Sequence, residues 1–147
     1  MRKHAAPVLA LGLTLWLAAG TGRASPERDP RLVGTWKSEL LIQGKGCPSR
    51  KVTTVTRHAN GDAIQRDVLV KYGGQQVTED RGRWATKSDV LYYGPTDAEL
   101  PLSSPDESNL RYKVVGHDTL TMYFPPMIHQ NGCVFSNDFT ERRIPAP

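Results

Sequence analysis

The chain has 147 residues, 38% of them hydrophobic and 23% charged, which is one domain's worth of material with a core of modest size. Its 19 Lys+Arg and 15 Asp+Glu give a formal charge of +4. Arg2, Lys3 and Arg23 lie in an N-terminal segment expected to be removed, so the remainder carries 16 basic against 15 acidic residues, a charge of +1. No Lys/Arg run survives in that remainder, which excludes a nucleic-acid or membrane-surface patch.

Arg2, Lys3 and His4 form a basic start. Val8 to Ala19 is an apolar run, and Gly22-Arg23-Ala24 places small residues at the two positions a signal peptidase reads. This is the pattern of a cleavable signal peptide over residues 1–24, with cleavage after Ala24. The run is shorter than the ~20 residues a membrane span needs, and no Cys follows it to carry a lipid. An uncleaved N-terminal anchor is the alternative. The mature chain, residues 25–147, is then a single periplasmic or secreted domain with no membrane span. Cys47 and Cys133 are its two cysteines, and in an oxidising compartment they are expected to pair. In the chain-entropy model that bridge stabilises by about 4 kcal/mol.

Ser25 to Arg31, with Pro26 and Pro30, reads as a leader. Leu32-Val33-Gly34-Thr35-Trp36-Lys37-Ser38-Glu39 then opens the first strand, Gly34 to Ile42. Its inward face is Trp36, Ser38, Leu40 and Ile42. Gly34 permits a sharp entry, and Trp36 is large enough to plug one end of a barrel if its indole N–H finds an acceptor. Gly44, Gly46 and Pro48 end the strand around Cys47. The second strand, Arg50 to His58, is rich in β-branched residues. Asn60-Gly61 predicts a tight type I′ hairpin into the third strand, Ala63 to Tyr72. There Ile64, Arg66, Val68 and Val70 alternate with Gln65, Asp67, Leu69 and Lys71, and the first set is expected inward. Gly73-Gly74 turns the chain into the fourth strand, Gln75 to Thr86, with Trp84 inward and Gly82 allowing a bend. Lys87-Ser88-Asp89 leads to the fifth, Val90 to Gly94.

Pro95 to Ser108 is the longest loop and is locally acidic through Asp97, Glu99, Asp106 and Glu107. The sixth strand is Asn109 to Val115 and the seventh Thr119 to Phe124. A loop from Pro125 to Gly132 precedes the eighth, Cys133 to Ile144. The fold class is therefore all-β, an eight-stranded antiparallel up-and-down barrel whose last strand closes on its first. That closure sets Cys133 beside Cys47.

Gly34-Thr35-Trp36 after a short leader, the Asn60-Gly61 hairpin, Gly82-Arg83-Trp84 before a short turn, and Phe139-Thr140-Glu141-Arg142-Arg143 near the end form an ordered set. In that order and spacing the chain resembles the lipocalin-like (calycin) superfamily, and more closely its small exported bacterial domains, over about residues 29–143. The resemblance implies structural roles for Gly34, Trp36 and Trp84. It also implies an Arg of the last strand packed over the first-strand Trp, a role open to Arg142 or Arg143. The TDY-type segment of true lipocalins is not evident, so transport of retinoids, pheromones or haem is not implied.

No nucleophile elbow, phosphate loop or zinc-protease motif is present. His58, His117 and His129 fall at strand ends or loops and make no short chelating motif. The expectation is a non-enzyme without metal or cofactor. Two readings of the interior stand open. In one, an amphipathic pocket is lined by Arg66, Tyr92, Tyr112 and Met122, with Arg66 pairing an anionic ligand group. In the other, Arg66 lies outside or pairs with an internal acid, and the barrel is filled by its own side chains, as small barrels can be. Of Tyr92 and Tyr93 one points in and the other out, with Tyr93 taken as exposed. The expected function is non-catalytic binding of a small hydrophobic or amphipathic molecule at the open end, between the loops Pro95 to Ser108 and Pro125 to Gly132. The alternative is a protein-interaction module of the envelope or secreted space, an enzyme inhibitor or accessory protein, that uses those loops.

Overall fold

The computed structural model describes residues 25–97, 100, 110–123, 132–135 and 138–145. The expected signal peptide lies outside them. Among the described residues, nine strands follow a single 3-10 turn at Pro30–Leu32: β1 Gly34–Gln43, β2 Arg50–Arg57, β3 Asp62–Lys71, β4 Gly74–Lys87, β5 Val90–Gly94, β6 Leu110–Val115, β7 Thr119–Tyr123, β8 Val134–Phe135 and β9 Asp138–Ile144. Each strand from β1 to β6 pairs antiparallel with the next. β9 pairs with both β7 and β1 and closes an eight-stranded up-and-down barrel. Among the described residues no helix is long and apolar enough to cross a membrane.

The expected eighth strand is two strands. Along β1 the pairing runs from Lys37 opposite Arg142 to Ile42 opposite Phe135. Five steps along β1 thus face seven along the other strand, so the two pairings are out of step by two residues. Just beyond, Cys47 and Cys133 form a disulfide, with Cα atoms 5.8 Å apart. Barrel closure therefore brings together the two cysteines as expected.

The Asn60-Gly61 hairpin is present, but it is not type I′. That turn needs positive φ at both central residues, and here only Gly61 has it, at +96°. The turn is closed by the Gly61 N–H donating to the His58 carbonyl at 3.0 Å, while the Asn60 side chain accepts from the Asp62 N–H. Asn60 thus works through its side-chain oxygen rather than through a left-handed backbone.

Inward faces follow register. Trp36 sits opposite Val55, and Val55 opposite Gln65. The interior face of β1 therefore continues through Thr53, Val55 and Arg57 of β2 and Ala63, Gln65 and Asp67 of β3. This corrects the expected phase of both strands. Val55, Arg57, Ala63 and Asp67 are buried, whereas Arg66 is exposed and Thr54, Thr56, Ile64, Val68 and Val70 are only half-buried, on the outer face. The hydrophobic core gathers at one end of the barrel around Leu32, Trp36, Val55, Trp84, Leu91, Leu120 and Met122.

Candidate functional site

The end of the barrel beneath this core is sealed by the leader. The 3-10 turn is capped by Asp29, whose carboxylate accepts from the Arg31 N–H. It delivers the buried Leu32, whose carbonyl accepts from the Trp36 indole N–H at 2.9 Å. The Trp84 indole donates to the His58 carbonyl at 2.8 Å. The leader is bound along the β4 edge: Thr86 N–H donates to the Glu27 carbonyl at 2.7 Å, and Asp29 N–H donates to the Thr86 hydroxyl at 2.9 Å.

Register settles which arginine covers Trp36. Arg143 lies opposite Trp36 and Arg142 opposite Lys37, so only Arg143 shares the inner face. Its guanidinium stands 4.3 Å from the Trp36 ring centroid and donates to the carbonyls of Val33, Arg31 and His117. Gly34 passes directly beneath it with φ +129°, and a Cβ there would collide with Arg143 Nη1. Gly34 is thus required twice, by its backbone and by its neighbour.

Beside this core, three polar side chains converge inside the barrel. Arg57 and Glu141, from β2 and β9, are only 1% and 4% exposed. Arg57 Nη2 donates to both Glu141 oxygens, at 2.9 and 2.7 Å, and Arg57 Nε donates to the Tyr93 hydroxyl. Arg57 Nη1 is buried and has no hydrogen-bond partner among the described residues. Burial opposes the charged guanidinium, but Tyr93 and Glu141 beside it outweigh that, and its pKa lies above the ordinary arginine value. Burial also pushes the Tyr93 phenol well above its ordinary value, so it is neutral near pH 7.

A second polar group lines the same wall on β2 and β3. Asp67 takes a salt bridge from Lys51 at 2.7 Å and hydrogen bonds from Thr53 at 2.7 Å and Gln65 at 3.0 Å. Around these polar groups the inner face is apolar, with Leu91, Leu120 and Met122 fully buried and Leu110, Val114 and Phe139 packed against them. The interior thus carries both polar groups and apolar surface.

The structure does not bring the four expected pocket residues together. Arg66 is exposed on the outer face of β3, a correction that follows from the β2–β3 register. The two tyrosines of β5 are exchanged relative to expectation. Tyr93 pairs with Trp84 and so shares its inner face, whereas Tyr92 pairs with Ala85 on the other. Tyr112 is inward but belongs to the sealed end, its hydroxyl donating to Asp29 Oδ2 at 3.0 Å. Met122 lies in the core. The loops Pro95 to Ser108 and Pro125 to Gly132 lie largely outside the described residues, as does His129. Among the described residues no group of three or more His, Cys, Asp or Glu is placed to hold a metal ion.

The Arg57–Glu141–Tyr93 cluster was missed by sequence reading because a charge at a strand end is usually solvated. One signal was available. Glu141 falls two residues from Phe139, in the inward phase of the last strand, and a carboxylate held inside a barrel requires a cation there. The chain matches no family model, and no curated protein matches it.

Proposed function

We propose that this protein is an exported, lipocalin-like (calycin) carrier or sensor that holds a small amphipathic molecule inside its barrel without performing chemistry on it. The observation that carries this reading is the Arg57 Nη1 group, buried within the barrel with its donors unmatched among the described residues. Buried donors are almost always paired, and an unpaired one costs ~1–3 kcal/mol, which an acceptor on a bound molecule would recover. A polar cluster set among apolar side chains suits a molecule with one polar end. The non-catalytic part of the reading rests on the same residues. Arg57 is held charged in its ion pair with Glu141, and the Tyr93 hydroxyl is held protonated, so neither Arg57 nor Tyr93 is poised to move a proton near neutral pH.

Export to the periplasm or medium, with cleavage after Ala24, is supported by the N-terminal apolar run and the Cys47–Cys133 bridge. Lipocalin-like membership is supported by the closed barrel and by the arrangement of Gly34, Trp36 and Arg143 at its sealed end. The test is native mass spectrometry of the protein purified from its own periplasm or medium. The expected result is a chain beginning at Ser25 with a co-purified small molecule. Recovery with a bound protein and no small molecule would shift the reading to the interaction module.

A further inference from the structure

We infer that the polar end of the ligand is an uncharged oxygen acceptor, the carbonyl of an amide, ester or ketone or a hydroxyl, and not a carboxylate or phosphate. This rests on the binding reading above and narrows it.

A guanidinium carries five N–H donors. In Arg57, Nε–H is used by Tyr93 and Nη2 by both oxygens of Glu141, which leaves the two N–H groups of Nη1. The charge of that guanidinium is already matched by a carboxylate 2.7 Å away. What the site offers a ligand is therefore hydrogen-bond donors without net positive charge. An anion bound at Nη1 would share one guanidinium with Glu141 in a water-poor interior. Two carboxylates so placed repel, and one is driven to take up a proton. A cationic end would face Arg57 itself. A neutral oxygen meets neither penalty and can accept from one of the free N–H groups.

The second polar group agrees. Lys51 and Asp67 form a second matched pair, and Asp67 is further satisfied by Thr53 and Gln65. Each of these inward charges on β2, β3 and β9 has its counter-charge in place. The expectation of an interior arginine recognising an anionic group thus changes twice. The residue is Arg57 rather than Arg66, and its charge is already spoken for.

The experiment uses the mature chain and four probes of one chain length: decanamide, methyl decanoate, decanoate and decylamine. Affinities are measured by calorimetry at about pH 8, where a free carboxylic acid is ionised. The side-chain N–H resonances of Arg57 are followed by NMR in the same titrations. Decanamide or methyl decanoate should bind at least about tenfold more tightly than decanoate or decylamine and should shift the Arg57 resonances. Decanoate should tighten as pH falls, because it enters as the neutral acid. In Glu141→Gln the guanidinium loses its counter-charge, and the order should invert in favour of decanoate by at least about tenfold. Should Glu141→Gln fail to fold by circular dichroism, the wild-type ranking and the pH dependence of decanoate decide alone. Decanoate binding as tightly as decanamide to the wild type, or neutral probes that bind without moving the Arg57 resonances, would overturn the inference and leave the binding reading standing. Saturation by none of the four overturns both.

Discussion

β4 passes through two environments. Its first eight residues, Gly74 to Arg81, are all exposed, and among the described residues they pair on one side only, with β3. Its last five, Arg83 to Lys87, pair with β5, and here Trp84, Ala85 and Thr86 are buried in succession. Three consecutive buried residues break the in–out alternation of a strand. The leader lies beside this half, where β3 stops: Glu27 accepts from Thr86 N–H, and Arg28 Nε donates to the Trp84 carbonyl. β5 is only five residues long, so the upper part of β4 extends beyond it. Alternation says which residues share a face. What is laid against that face decides whether they are buried.

Breaking the sealed half should have the largest effect. Trp36→Ala removes a fully buried aromatic together with its contacts to Arg143 and Leu32, and should cost ~3–5 kcal/mol. That is a large part of the ~5–15 kcal/mol that holds a domain. A thermal melt within a degree or two of the parent would remove Trp36 from its role as the plug.

The interior pair comes next and separates folding from recognition. Arg57→Met alone strands a buried Glu141 and should cost ~3–5 kcal/mol, whereas Arg57→Met with Glu141→Met should be close to neutral, because replacing both members removes the desolvation of both charges. Urea melts of the two variants check this. A double variant as unstable as the single one would show that the pair is part of the frame.

The leader contact is set by pH. The hydrogen bond from Arg31 holds the Asp29 carboxyl below its ordinary value of 3.8, against the opposing effect of burial. Its contribution is full above that value and is lost as pH falls through the lower folded value. Burial, with Asp29 beside it, pushes Tyr112 from 10.0 up to about 12. Its contribution is present below pH 10 and is lost as pH rises toward 12. Melts at about pH 3, 7 and 11 should show both limbs. Asp29→Asn should flatten the acid one and Tyr112→Phe the alkaline one.

The smallest effect belongs to the exposed half. Val77→Thr on β4 and Arg66→Ala on the outer face of β3 should each change stability by less than ~0.5 kcal/mol. Arg66→Ala should also leave probe binding unchanged in the calorimetry described above. A loss of binding there would return Arg66 to the site.

The eight-stranded barrel, its hairpin order and the cysteine pairing were legible in the sequence because they depend on local chemistry. Turns at 58–61, 72–73 and 116–118 are marked by glycines at positive φ, and each apolar run between turns is one strand long. Closing such a meander forces its ends together, and the cysteines with them. The site was not legible for a physical reason. β2 and β3 carry apolar residues on both faces: Val55 and Ala63 inside, Val52, Ile64, Val68 and Val70 outside. Periodicity therefore has no preferred phase in these strands. Their orientation comes from the register with Trp36 on β1, and the same register turns Arg57 inward and Arg66 outward. The choice between Arg142 and Arg143, and the meeting of Arg57 with a Glu141 84 positions away, likewise depend on how the strands align across the closed barrel, which only the tertiary structure decided.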